Sequence, residues 1–239
     1  MIEKSSFIIL RKYPFGEQGL VLHVFAERLG RVPILVRNAR SKRSSLPISL
    51  VRPLSMLEAV LKKNGDFYSV SEARSAFNSD AFHSRPANTA VAFFLADIWS
   101  QVLKEEGAQP EFYYFLEYVV RDLSVRQAGF SYFHIWVLLR TTHYLGFSPG
   151  KSPYSEIGFF DLVEGQYTLN QPMHPHYLNV DQAQVFSWFS NEQECPSSPP
   201  ENWNVNTKRE AIQSLIRFFR LHIDSFRTPV SLDVLSEIV

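Results

Sequence analysis

Arg28-Leu29-Gly30-Arg31-Val32-Pro33-Ile34-Leu35-Val36-Arg37-Asn38-Ala39-Arg40-Ser41-Lys42-Arg43 carries six positive side chains and no carboxylate. Its middle, Val32–Val36, is apolar and β-branched and reads as a buried strand. Its end, from Arg37 to Arg43, reads as a cationic loop with a turn former at Asn38. A loop anchored to a buried strand holds its charges in place. Guanidinium forks match phosphate oxygens bidentately, and ammonium groups act as point charges. The same run read without a partner is a solvated surface loop.

Working outward, Ser5–Tyr13 reads as a first strand, and Pro14-Phe15-Gly16-Glu17-Gln18-Gly19 as a turn into a second, Leu20–Ala26. Glu27–Gly30 turns again into the Val32–Val36 strand. Pro33 cannot donate to a ladder, which predicts an edge or strand-start position. Pro47 and Pro53 break the stretch between. Leu54–Lys62 and Phe67–Glu72 flank Asn64-Gly65, a hairpin signal because both residues tolerate the left-handed conformation. Five short strands with no long helix among them predict a small barrel.

Beyond Ala76 the pattern turns helical. Pro86 and Pro110 stand at helix starts, and Phe130–Tyr144 is apolar nearly all round, which predicts a central helix. A hairpin is expected over about 157–170, a short helix capped by Asp181, a flexible Pro-rich loop over about 191–206, and a last long helix capped by Thr207. The expected class is therefore α+β, with a barrel domain over 1–78 and a helical domain over 79–239.

The net charge is zero but unevenly spread. Met1–Arg85 holds fourteen Lys and Arg against seven Asp and Glu, and the remainder holds ten against seventeen. That asymmetry points to a polyanion partner for the first part. No apolar run is long enough to cross a bilayer, and the start lacks a signal-peptide pattern, so cytoplasmic residence is the default expectation. Cys195 is the single cysteine, which excludes an internal disulfide and any zinc site built from several thiolates. No catalytic constellation emerges. Asp97, Glu105 and Glu106 lack matching partners, and His134 and His143 sit in the apolar helix as core or boundary residues.

Three stretches resemble the bacterial recombination mediator family RecO: Tyr13–Gly19, Phe25–Arg31 and Asn38-Ala39-Arg40-Ser41-Lys42-Arg43-Ser44. Asn38 stands where the family has glycine, and asparagine also accepts positive φ. Asn64-Gly65-Asp66, Leu145-Gly146-Phe147-Ser148-Pro149 and the ending Ser231–Leu235 extend the likeness. The resemblance implies an N-terminal OB-fold followed by a helical domain. It also implies binding of single- and double-stranded DNA, annealing of complementary strands, and work with RecR and the single-stranded DNA-binding protein to load RecA. Neither nuclease activity nor nucleotide use is implied. Many members carry a four-cysteine zinc module after the Leu-Gly-x-x-Pro step. Here Gly150–Asn170 fills that place without cysteine, so no metal or other cofactor is expected, and packing of the 159–169 hairpin must serve instead. His174, His176 and Cys195 could supply three ligands, but their spacing is irregular.

Arg37, Arg40, Lys42 and Arg43 are the leading candidates for DNA contact, with Arg11, Lys12 and Arg31 next. Phe15, Phe67 and Tyr68 are candidate stacking platforms, with core packing the plainer role for Phe67. Arg121, Arg126 and Arg140 are candidates, by charge alone, for a groove binding the acidic, apolar tail of the single-stranded DNA-binding protein. Two other readings of the residues are an OB-fold RNA- or tRNA-binding module and an adaptor gripping an acidic protein.

Overall fold

A computed structural model describes residues 2–41, 44–77, 85–103, 107–150 and 158–238. Lys42, Arg43, Glu105, Glu106 and the expected boundary at 78/79 lie outside the described residues. The chain forms two compact units, Met1–Arg126 with Pro229–Ile238, and Gln127–Thr228 with Val239.

In the first unit, β1 (Ile2–Phe15), β2 (Gly19–Ala26), β3 (Gly30–Val36), β4 (Met56–Asn64) and β5 (Phe67–Ser75) close a barrel in the order β1-β2-β3-β5-β4. All pairings are antiparallel except β3–β5, which meet in parallel at Ile34 and Tyr68. This is the OB-fold, and the class is mixed α+β. Period-two alternation sends Phe7, Ile9, Leu22, Val24, Val32, Ile34, Val36, Leu57 and Leu61 into one core. Pro33 lies inside β3, opposite His23, rather than at its start. It is tolerated because β3 pairs with β5 at one position only, so most of that strand edge makes no ladder for a proline to break.

The register of β1 shifts between Ile9 and Arg11. This bulge at Leu10 resets which residues face outward for the rest of the strand. β1 also runs further than its sequence suggests, through Pro14 and Phe15, and leaves Gly16-Glu17-Gln18 as the turn.

Two helices complete this side of the chain, α1 (Pro86–Val102) and α2 (Pro110–Val125). α1 packs on β1. Phe112 and Tyr113 of α2 meet Phe25 of β2 at ring distances of 5.8 and 6.2 Å. The link between α1 and α2 presses on the start of β3, where a Cβ on Gly30 would fall 1.8 Å from the Gly107 carbonyl oxygen. Only glycine fits there, and its φ of +70° also favours glycine.

The second unit opens with α3 (Phe130–Tyr144), central and buried on nearly every face as its composition predicts. A small sheet follows, β6 (Phe159–Asp161), β7 (Gln166–Thr168) and β8 (Tyr177–Leu178), in the order β7-β6-β8. Then come α4 (Val180–Asn191) and α5 (Val205–His222). Asn179 and Asn204, not Asp181 and Thr207, cap these helices, their side-chain oxygens accepting from Gln182 N–H and from Asn206 and Thr207 N–H. The segment between α4 and α5 is tied down. Trp136 Nε1 donates to the Glu192 carbonyl, Tyr132 Oη to the Ser197 carbonyl, and Trp203 Nε1 to Ser131 Oγ.

Phe160 at the centre of the small sheet is fully buried against Tyr167, Phe186 and Phe218, at ring distances of 4.8, 5.5 and 5.7 Å. His222 stacks on Phe147 at 4.9 Å and reaches the Leu162 carbonyl. Aromatic packing thus holds the small sheet in place.

A short helix, α6 (Leu232–Ile238), returns to the first unit, where Asp97 accepts from the Ser231 N–H and hydroxyl. Among the described residues no helix is long and apolar enough to cross a membrane.

Gly30→Ala adds a side chain to a left-handed backbone, at about 1–2 kcal/mol, and forces the Gly107 segment away. A total loss of about 2–4 kcal/mol is expected, read as a lowered urea midpoint with unchanged slope.

Candidate nucleic-acid interface

Past the bulge at Leu10, β1 points Arg11, Tyr13 and Phe15 to the outside, in register with outward residues of β2 and β3. Arg11 pairs with His23, which pairs with Pro33; Tyr13 pairs with Val21, which pairs with Leu35. One row further along, Phe15 lies opposite Gly19. Val36 lies opposite Leu20, so Arg37 comes alongside Gly19. The Phe15 ring passes 3.5 Å from where a Gly19 Cβ would stand. The result is a face of aromatic, apolar and cationic side chains beyond the rows that α1 and α2 cover.

Tyr13 and Phe15 are 43% and 49% exposed, high for aromatics on a barrel wall. Arg11 lies over the Tyr13 ring at 5.7 Å, and Tyr13 meets His23 edge-on at 5.4 Å. Phe15 touches Phe67 of β5 at 6.2 Å. Sequence reading missed Tyr13 and His23. The signal for Tyr13 was its shared parity with Arg11 and Phe15.

The loop after β3 is shaped by Asn38, which takes φ of +51°. Ala39 is buried, and its N–H donates to the Gln18 carbonyl, tying this loop to the β1–β2 turn. Arg37 and Arg40 on either side are exposed. Among the described residues no carboxylate forms an ion pair with Arg11, Arg37 or Arg40. Their charge is left for an outside partner.

Other candidate cations are committed within the chain. The Arg31 guanidinium donates to the Leu103 carbonyl at 2.7 Å and to His23 Nδ1 at 3.1 Å, and its Nε is buried. It fastens the α1–α2 link to β3 rather than standing with Arg37 and Arg40. Lys12 alternates to the face opposite Arg11, and its Nζ donates to the Val51 carbonyl at 3.2 Å. Arg28 and Arg74 pair with Glu3 and Glu58, and Arg74 holds the Glu58 carboxyl below its ordinary range.

The three cations proposed for a partner tail are divided between the two units. Arg121 pairs with Glu117 and lies over the Phe77 ring, and Arg126 pairs with Asp122 with its Nε buried. Arg140 belongs to the second unit. That unit has a different feature, a groove of about 630 Å³ walled by Pro175, Ile216 and Leu221 and edged by His176, Arg217 and Arg220.

Among the described residues no three His, Cys, Asp or Glu side chains gather closely enough to hold a metal ion. His174 bonds Asp161 at 3.1 Å, and Cys195 does not join His174 and His176. With one cysteine in the chain, a four-thiolate zinc module does not fit this sequence. His134 is wholly buried, and burial pushes it down to about 4. A neutral ring donating to the Phe130 carbonyl accounts for it.

A family model described as "Recombination protein O N terminal" matches residues 1–78. The chain is similar along its whole length to curated proteins named "DNA repair protein RecO". Identity is 26% with that of Phocaeicola vulgatus, covering 100% of this chain and 99% of the relative. It is 29% with that of Flavobacterium johnsoniae, covering 98% of each. With the relative from Porphyromonas gingivalis it is 26%, over 99% of this chain and 98% of that one. Over its whole length the chain is thus similar to DNA repair proteins of the RecO family. The RecO N-terminal match spans the five barrel strands, and with them the whole cationic, aromatic face.

Arg31 and Arg37 should separate in experiment. Arg31→Ala leaves the Leu103 carbonyl without its donor and should cost about 1–3 kcal/mol of stability, with little change in DNA affinity of the folded protein. Arg37→Ala should lower affinity and leave the urea midpoint in place.

Proposed function

We propose that this RecO-family chain binds single- and double-stranded DNA through the open face of its barrel and anneals complementary strands. In this reading residues 1–78 are the DNA-binding domain, with Arg37, Arg40 and Arg11 as principal contacts and Lys42 and Arg43, which follow in the sequence, contributing further charge. Lys12 and Arg31 are secondary. The carrying observation is a face whose arginines have no carboxylate partner among the described residues and whose aromatics are exposed. Phosphate contacts position a strand without reading its sequence, so binding is largely sequence-independent.

Annealing follows from the same charges. Two strands repel through their phosphates, and a fixed cationic surface lowers that repulsion while leaving the bases free to pair. No bond is made or broken by the protein, so the chain acts as a mediator and not an enzyme.

The helical part, 79–239, serves partners: RecR, the single-stranded DNA-binding protein and, through them, RecA at the nucleoid. An acidic, apolar peptide tail needs apolar walls with a basic rim. The groove edged by Arg217 and Arg220 has that character and supports the reading better than Arg121, Arg126 and Arg140 do.

The test is strand pairing followed with two complementary fluorescent oligonucleotides. The protein should raise the initial pairing rate well above the spontaneous rate. Replacing Arg37, Arg40, Lys42 and Arg43 by alanine should remove most of that increase for every sequence alike. An unchanged rate in the fourfold variant would refute the reading.

A further inference from the structure

The barrel carries a recess of about 370 Å³ between the end of β3 and the start of β5. It opens there because the two strands pair only at Ile34 and Tyr68, so their ladder does not continue past that point. Leu35, Phe67 and Tyr68 supply apolar and aromatic wall, Asn64 and Ser45 supply an amide and a hydroxyl, and Arg37 is the one cation lining it among the described residues.

This is not the lining of a phosphate site. A phosphate needs several converging donors and no apolar wall. A nucleobase is flat and largely apolar on its faces, with donors and acceptors on its edge, and suits aromatic wall beside groups that both donate and accept. The Asn64 amide and Ser45 hydroxyl do both, so they can meet any base edge. Arg37 lies in the recess lining and on the cationic face at once, which places a phosphate contact beside the base.

We infer that the Phe67–Tyr68 recess receives one unpaired base of a bound strand and so makes the barrel prefer single-stranded over duplex DNA. The inference rests on the DNA-binding reading above and adds to it. Arginines on an open surface meet the phosphates of either form. A recess of this kind accepts only a base already free of the stack, because a duplex must first unpair and unstack to offer one.

The experiment compares a fifteen-residue thymidine oligonucleotide with an abasic strand of equal length and phosphate count, by fluorescence anisotropy at one salt concentration. The thymidine strand should bind about tenfold more tightly, as expected for one stacked base. Phe67→Leu removes the aromatic ring, and Ser45→Trp fills the recess from an exposed loop position. Both should lower the ratio several-fold, with a smaller change in abasic affinity. Circular dichroism confirms that the variants fold. Equal binding of the two strands by the unaltered protein would overturn the inference and leave the phosphate reading standing. A ratio that persists in both folded variants would place the base contact elsewhere and overturn it as well. Failure to bind either strand would overturn both readings.

Discussion

Uncompensated positive charge on a rigid surface is the constraint behind the rest of this structure. An arginine answered by a carboxylate of its own chain is already neutralised, and displacing that partner offsets most of what a phosphate would contribute. Arg11, Arg37 and Arg40 have no such partner among the described residues, although the chain as a whole is neutral. Rigidity comes from the barrel. Val36 is buried beside Leu20, Ala39 is buried with its N–H on the Gln18 carbonyl, and Asn38 turns the chain between them. Arg37 and Arg40 therefore project from a loop pinned on both sides of its turn.

The same strands show how a barrel divides its cations between internal contacts and the exposed surface. Arg31 sits in the row with Phe25, which α2 covers, and its guanidinium is used up on a carbonyl of the α1–α2 link. Arg37 stands beyond that cover. Six residues along one strand thus separate a structural arginine from an available one. Parity makes the same division on β1, where Arg11 joins the aromatic face and Lys12 turns to the Val51 carbonyl. In the second unit, the Phe160 cluster anchors the short sheet by aromatic packing.

Much of this was legible in the sequence because the deciding signals are local. The Asn64-Gly65 turn, the alternation of the strands and the prolines at the starts of α1 and α2 each need only a few neighbouring residues. What escaped depends on distance along the chain. The fate of Arg31 is set by Leu103, seventy-two residues away. The caps at Asn179 and Asn204 were misplaced by two and three residues because several capping side chains compete at each helix start. Tyr13 was passed over although it shares the parity of Arg11 and Phe15, both of which were named.

The account is tested most directly by the salt dependence of single-strand affinity. A surface that neutralises five or six phosphates releases their counterions, so log K should fall with log salt at a slope of roughly −3 to −4. Replacing Arg37 and Arg40 by alanine should make that slope shallower by about one. A slope near zero, or one the double variant leaves unchanged, would contradict the claim that these fixed arginines carry the contact.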